Sequence, residues 1–143
     1  MLSLIPDGKG TLCELGAGWG TLAMPMAKRF KSSQVIAIEL SPVPWLFMKL
    51  RQILFARPNL EIIRANFLTH PLPNDVRVVV FYMHPQMLTK ARPVLERALS
   101  PGTLVISNVF EIPGWEPEAV HKLEDSFCPQ VYVYHVPEQE NLP

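Results

Sequence analysis

The sequence predicts a doubly wound α/β domain, a mostly parallel sheet with helices on both faces and an antiparallel edge strand at the C-terminal end. Three observations predict it. Thr11-Leu12-Cys13-Glu14-Leu15 has the pattern of a buried strand and runs into the glycine turn Gly16-Ala17-Gly18-Trp19-Gly20, then into an apolar-periodic stretch through Leu22, Met26 and Phe30. A second apolar run, Val35-Ile36-Ala37-Ile38, ends on an acid, Glu39. From there to Asn108 strand and helix signals alternate, which implies right-handed crossovers and an open sheet.

Taken in order, strand 11–15 feeds a helix near 20–30. Pro25 falls just inside that helix, so it either lies in the first turn or delays the helix start, and either way a distorted first turn is expected, because proline supplies no N–H and crowds the preceding turn. Strand 34–39 follows. Ser41-Pro42 reads as an N-cap with proline at the first helical position. Leu46, Leu50 and Ile53 or Leu54 then recur at helical spacing, which predicts a core-facing stripe to about Ala56. Leu60 to Arg64 is the third strand. Val76 to Phe81 is the fourth, a β-branched run suited to the centre of a parallel sheet. A helical stretch from about Gln86 to Leu99, interrupted or kinked at Pro93, reaches the turn Ser100-Pro101-Gly102 and a fifth strand, Thr103 to Asn108. Glu118 to Asp125 fits a helix or a strand. Val131-Tyr132-Val133-Tyr134-His135-Val136 alternates as a strand and is expected at the antiparallel edge.

A chain of 143 residues fits one domain, 1–143, with a three-layer core. Its 13 Lys and Arg balance 13 Asp and Glu, so no global field favours nucleic acid and no nucleic-acid partner is expected. Lys28, Arg29, Lys31, Arg51 and Arg57 gather at helix ends, where cations complement the dipole. The 15 prolines are about twice the usual frequency and mostly punctuate element boundaries. Cys13 and Cys128 lack metal-ligand spacing, so no metal site is expected, and Cys13 reads as a small core residue. No run approaches a membrane span and the N-terminus lacks the basic start of a signal peptide, so the expected compartment is cytoplasmic. Zero net charge and an apolar C-terminal edge are compatible with a homo-oligomer.

Ligands of open α/β sheets bind outside the carboxyl ends of the strands, where strand order reverses. Glycines let the backbone approach a ligand where a Cβ would collide, and an acid after the second strand accepts from ribose hydroxyls. Together they describe a nucleoside cofactor lying across two strand ends. A dinucleotide fingerprint has glycine at the first, third and sixth positions of the turn. Here the sixth position is Thr21, glycine holds the first, third and fifth, and Glu14 lies two residues ahead. A bare strand-to-helix turn and a nicotinamide or flavin site are the alternatives, the latter disfavoured by Thr21.

This arrangement resembles motif I of the class I S-adenosylmethionine-dependent methyltransferases, and the chain would be a minimal version of their Rossmann-like fold. The resemblance implies S-adenosylmethionine as cofactor and S-adenosylhomocysteine as product. It assigns cofactor binding to Glu14, Gly16, Ala17, Gly18, Gly20, Glu39, Leu40, Asn66 and Phe67. Asn66 stands where these enzymes commonly carry an acid for the adenine amino group, and its side-chain oxygen can still accept. Phe67 offers an apolar wall for the adenine, although both residues also read as an ordinary capped loop and a core phenylalanine.

The same strand-end rule selects Tyr82 to Gln86 and Asn108 to Glu111. Methyl transfer from a sulfonium is an in-line displacement, so the protein must chiefly align the nucleophile and exclude water. The candidate catalytic residues are His84, able to take a proton near neutral pH, Tyr82, lining an acceptor pocket, and Glu111, binding an ammonium. A capping histidine and a core tyrosine are the ordinary readings. Trp115 either forms a cation–π wall or anchors its loop. The Asn/Asp-Pro-Pro-aromatic form is missing after the fourth strand, which argues against an adenine or glutamine acceptor.

Val78-Val79-Val80-Phe81, Pro85-Gln86-Met87, Leu95 to Gly102, Val105-Ile106-Ser107 and Pro113-Gly114-Trp115-Glu116-Pro117 are similar to the protein lysine methyltransferases that modify the ATP synthase c subunit and the adenine nucleotide translocase, with their prokaryotic relatives. The similarity runs over roughly residues 11–136. Trp19 replaces the acid usual in the third gap of the turn and His84 an apolar residue, and neither the membrane-anchoring N-terminal segment nor the leading helix is expected. The resemblance implies methyl transfer to an amine acceptor, a protein lysine. A small-molecule acceptor and a non-catalytic cofactor-binding scaffold are the alternatives.

Overall fold

All five residues of strand β1 (Thr11–Leu15) are buried, and a strand apolar on both faces belongs at the middle of a sheet covered on both sides. The computed structural model, which describes residues 1–123 and 130–138, places it there. Cys128 and Asp125 lie outside the described residues. β1 pairs in parallel with β2 (Val35–Ile38) on one side and with β4 (Val76–Phe81) on the other. β3 (Leu60–Ile63) extends the sheet beyond β2, and β5 (Leu104–Asn108) lies beyond β4. With β6 (Ala119–Lys122) and β7 (Gln130–His135) the order is β3-β2-β1-β4-β5-β7-β6, so strand order reverses between β1 and β4.

The 131–136 strand is antiparallel, as its pattern predicts, and lies one place in from the edge. β7 pairs with β5 and β6 alike. Val131, Tyr132 and Tyr134 of β7 are buried, as suits an inner strand of the sheet. The segment left open between helix and strand therefore extends, and three of the four residues of β6 are exposed, as suits a short polar edge.

Alternation along β1 sorts the core into two layers. Cys13 and Leu15 face α3 (Pro85–Ala98) and its buried stripe Leu88, Ala91 and Leu95. Burial pushes the Cys13 thiol up to about 12, an inert core position. Leu12 faces α1 (Ala23–Arg29) and Met48 of α2 (Pro42–Leu54). Pro25 is the third residue of α1, inside its first turn, where its missing N–H has no intrahelical partner to lose, and the helix begins at Ala23. Pro93 neither interrupts α3 nor ends it. Pro93 and Thr89, whose carbonyl loses its donor, are both exposed, so that carbonyl is on the side of the helix that solvent reaches. Ser41 is the N-cap residue of α2, but its side chain makes no capping bond.

The apolar stripe of α2 does not face the core. Met48 is its one buried residue, and Ile53 and Leu54 are 78% and 75% exposed. The inward face is Trp45, Met48 and Gln52, at helical spacing: Met48 fills the space above Gly20, and Gln52 Nε2 donates to the Leu60 carbonyl at 2.6 Å. The spacing had the right period and the opposite phase.

Gly20→Ala tests this seating. A Cβ there would lie 2.7 Å from Met48 Cγ, on a backbone with φ of +77°. Strain plus overpacking is expected to cost about 2–4 kcal/mol. Gly102→Ala, at φ +85° with nothing within 4 Å, is expected to cost only about 1–2 kcal/mol. Denaturant unfolding of both variants makes the comparison, and equal losses reject the Met48 contact as the cause.

Candidate active site

At the carboxyl end of β1 the chain reverses through three left-handed glycines, Gly16, Gly18 and Gly20, with φ of +67°, +57° and +77°, a conformation that side chains resist. Their surroundings separate them. A Cβ at Gly16 or Gly18 would meet nothing within 4 Å, whereas Gly20 is closed by Met48. Two glycines thus present backbone to open space, and the third serves packing. Ala17 is buried and donates its N–H to the Ile38 carbonyl at 3.0 Å, tying the turn to the end of β2.

Glu39 follows β2 and braces the same turn. Its Oε2 accepts from the Gly18 N–H at 2.7 Å and its Oε1 from the Ser41 N–H at 3.0 Å. Each carboxylate oxygen keeps further acceptor capacity for a ligand hydroxyl. Leu40, beside it, is exposed. Glu14 sits beneath, 7% exposed, and its Oε2 has no hydrogen-bond partner. Burial raises its carboxyl to about 8 against the pull of the Ala23 backbone, with the Glu39 charge adding to the rise. A buried carboxyl with a vacant oxygen, next to glycine backbone open to approach, fits a ligand that carries a cationic donor and ribose hydroxyls, as S-adenosylmethionine does.

Asn66 and Phe67 follow β3. The Asn66 Oδ1 accepts from the Leu68 N–H at 3.0 Å, a local turn that leaves its NH₂ as the uncommitted end. Phe67 is buried in the α3-side core. Trp19, half-exposed, meets Phe47 of α2 edge to face at 5.2 Å, and its carbonyl accepts from Arg51.

The ends of β4 and β5 meet through Phe110, which the sequence pattern included in a strand-end segment without singling out. Tyr82 stacks on it at 6.4 Å and 19°, and His84 lies tilted against it at 6.0 Å. Val109, just before it, has φ of +75°, strained for a β-branched residue. The Gln130 carbonyl holds the Val109 N–H, and the Ser107 hydroxyl donates to the Phe110 carbonyl at 2.6 Å. Asn108 Oδ1 is buried without a partner. Glu111, next along, is exposed. His84 Nδ1 accepts from the Gln86 N–H at the start of α3, so in that arrangement a neutral ring carries its proton on Nε2 and acts there as a donor. Trp115 anchors its loop: it is buried, donates to Glu96 at 2.9 Å and packs on Tyr134.

An open glycine turn at the strand-order reversal, with an acid after β2 and an aromatic wall from β4 and β5, defines a class I S-adenosylmethionine-dependent methyltransferase. The comparisons agree. An RNA methyltransferase from Salinibacter ruber, solved with S-adenosyl-L-homocysteine, superposes with a TM-score of 0.81 at 27% identity, over 94% of this chain and 86% of that one. A SAM-dependent methyltransferase from Aquifex aeolicus shares the fold, with a TM-score of 0.72 at 13% identity over 89% and 82% of the two chains. A protein-lysine N-methyltransferase of Saccharolobus islandicus is 29% identical over 137 residues, 89% of this chain and 80% of its own length. The ANTKMT methyltransferase domain matches residues 14–119, and the chain belongs to that family.

Glu14 makes ligand-free stability depend on pH. The fold raises its pKa from 4.5 to about 8, so the folded state keeps a proton that the unfolded chain releases between these values. Its contribution is complete below 4.5 and lost as pH rises through 8. The wild-type stability is expected to fall across this interval with a Glu14-linked slope of up to about 1.4 kcal/mol per pH unit. Glu14→Gln removes that component. Parallel denaturant titrations across pH check it, and an unchanged slope in the variant rejects Glu14 as the group.

Proposed function

We propose that this methyltransferase acts on an amine, the side chain of a protein lysine. S-adenosylmethionine supplies an electrophilic methyl group on a sulfonium. Gly16, Ala17 and Gly18 offer backbone for its close approach, Gly20 keeps the turn closed over Met48, and the vacant oxygen of Glu14 takes its ammonium. Glu39 receives the ribose hydroxyls, with Leu40 at its side. Phe67 backs the adenine from its place in the core, and Asn66 donates from its NH₂ to a ring nitrogen.

The observation that carries the acceptor class is the stacked pair Tyr82 and Phe110 beside Glu111. A flat aromatic wall suits the methylene stem and cation of a lysine, and an acid draws the ammonium to it. His84 orients the acceptor from Nε2, and the departing proton passes to water before attack. Similarity to the Saccharolobus protein-lysine N-methyltransferase supports the same acceptor. The Salinibacter likeness favours RNA as a second reading, but segments 82–87 and 108–112 contain no Lys or Arg to hold phosphates.

Labelled cofactor incubated with the protein and a cell lysate separates these readings. Label in protease-sensitive bands that release methyl-lysine on hydrolysis supports lysine. Label removed by ribonuclease, or confined to the low-mass fraction, rejects it. Glu39→Ala is expected to weaken cofactor binding in calorimetry by about 1.5–3 kcal/mol, the range for bonds to a charged group. It also costs some stability, because the Gly18 and Ser41 N–H groups lose their acceptor. Tyr82→Ala is expected to lower kcat/KM for the acceptor about tenfold, the loss of a desolvated cation–aromatic contact, with cofactor affinity unchanged. Unchanged acceptor kinetics reject the aromatic wall.

A further inference from the structure

The outward face of α2 is a continuous apolar stripe. Val43, Leu46, Phe47, Leu50, Ile53 and Leu54 recur at helical spacing, exposed from 43% at Phe47 to 78% at Ile53. The stripe continues onto exposed Phe55 at one end and, through the Phe47 contact, onto Trp19 at the other. Scattered apolar side chains on a surface need no explanation; a whole helix face does.

The long borders of the stripe carry cations, and the one acid near it, Glu39, is held at the N-terminal end of α2 by the Gly18 and Ser41 N–H groups. Lys49 and Arg51 border it on opposite sides of the helix, and Arg51, Arg57 and Lys28 line a cleft of about 300 Å³ between α1 and α2. Between residues 15 and 60 the chain places Lys28, Arg29, Lys31, Lys49, Arg51 and Arg57 against Glu39 alone. Of these, Lys28, Arg51 and Arg57 share the cleft beside the stripe and Lys49 borders its other side, while Arg29 and Lys31 line a separate cleft with Asp7.

We propose that α2 is an interfacial helix that seats the domain on an anionic lipid bilayer. The stripe enters the boundary between headgroups and acyl chains, and the flanking cations, with the cleft of Lys28, Arg51 and Arg57, take lipid phosphates. The helix lies on the membrane and does not cross it, since no helix of the described residues is long and apolar enough to span. A second copy is a poor occupant. Apposing two α2 stripes brings Lys49 and Arg51 against the same cations, with no acid on the helix to offset them. An acidic protein would satisfy the charges, but the stripe itself is a single exposed helix face, and the cleft on its border is lined by three cations, as suits a lipid phosphate more than an apolar anchor.

Co-sedimentation of the purified chain with phosphatidylcholine vesicles, with and without phosphatidylglycerol, tests this. Binding is expected to be at least about tenfold tighter with phosphatidylglycerol and to weaken with salt. Leu50→Glu combined with Ile53→Glu is expected to abolish it, and Arg51→Gln or Arg57→Gln to reduce it roughly fivefold each. Circular dichroism melting checks that these surface variants stay folded. Absence of binding to anionic vesicles, or equal binding by the double glutamate variant, overturns the proposal. Without vesicle binding, a dimer that Ile53→Glu splits assigns the face to a second copy. A monomer without vesicle binding assigns it to a protein partner, and both outcomes overturn the lipid reading.

Discussion

The Glu39 carboxylate joins three elements with two hydrogen bonds. Because β2 pairs with β1 in register, Leu15 opposite Ile38, the residue after β2 falls opposite the turn after β1. A turn built from left-handed glycines directs N–H groups away from the regular ladder, and each needs an acceptor. Glu39 supplies one to Gly18 at 2.7 Å and another to Ser41 at 3.0 Å. The second bond explains why the Ser41 hydroxyl makes no cap: an anion already sits at the positive end of α2, where the helix dipole favours it. One acid thereby sets the spacing between turn, strand and helix, and keeps lone pairs for a ligand.

The seating of α2 follows from the same corner. Gly20 leaves room for Met48, and Gln52 secures the next turn to the start of β3. A helix held by so narrow a face has its apolar residues left over, and they point outward. The corner that shapes the turn on one side therefore creates the amphipathic surface on the other. Trp19 joins the two, with its backbone in the turn and its indole on Phe47.

Strands were legible in the sequence because burial on both faces demands unbroken apolar runs; β1 and β4 have the expected limits. The glycine turn and Glu39 were legible for a related reason, since a left-handed turn restricts its residues to glycine and an acid closing an apolar run stands out against it. The phase of α2 was not. Both of its faces carry large apolar side chains, Trp45 and Met48 inward and Leu46 and Leu50 outward, and periodicity cannot say which face the sheet selects. β6 was ambiguous because Ala119-Val120-His121-Lys122 has little pattern of its own and extends to cover β7. Phe110 escaped notice because its position depends on Val109 at positive φ, a conformation that β-branched propensity argues against.

The unpartnered buried side-chain polar atoms of the described residues are three nitrogens, on Trp45, Arg57 and Arg77, and two oxygens that share a place in the fold. Among the buried side-chain polar atoms without partners, the oxygens are Glu14 Oε2 and Asn108 Oδ1, near the ends of β1 and β5. Each unsatisfied acceptor costs about 1–3 kcal/mol in the ligand-free fold, and Val109 adds backbone strain beside the second. Glu14 lies beside the reversal of strand order between β1 and β4, and Asn108 one strand further on, at the end of β5. A donor arriving from outside the chain would offset that cost, so each open acceptor lowers ligand-free stability and leaves a place that a ligand's donor can fill.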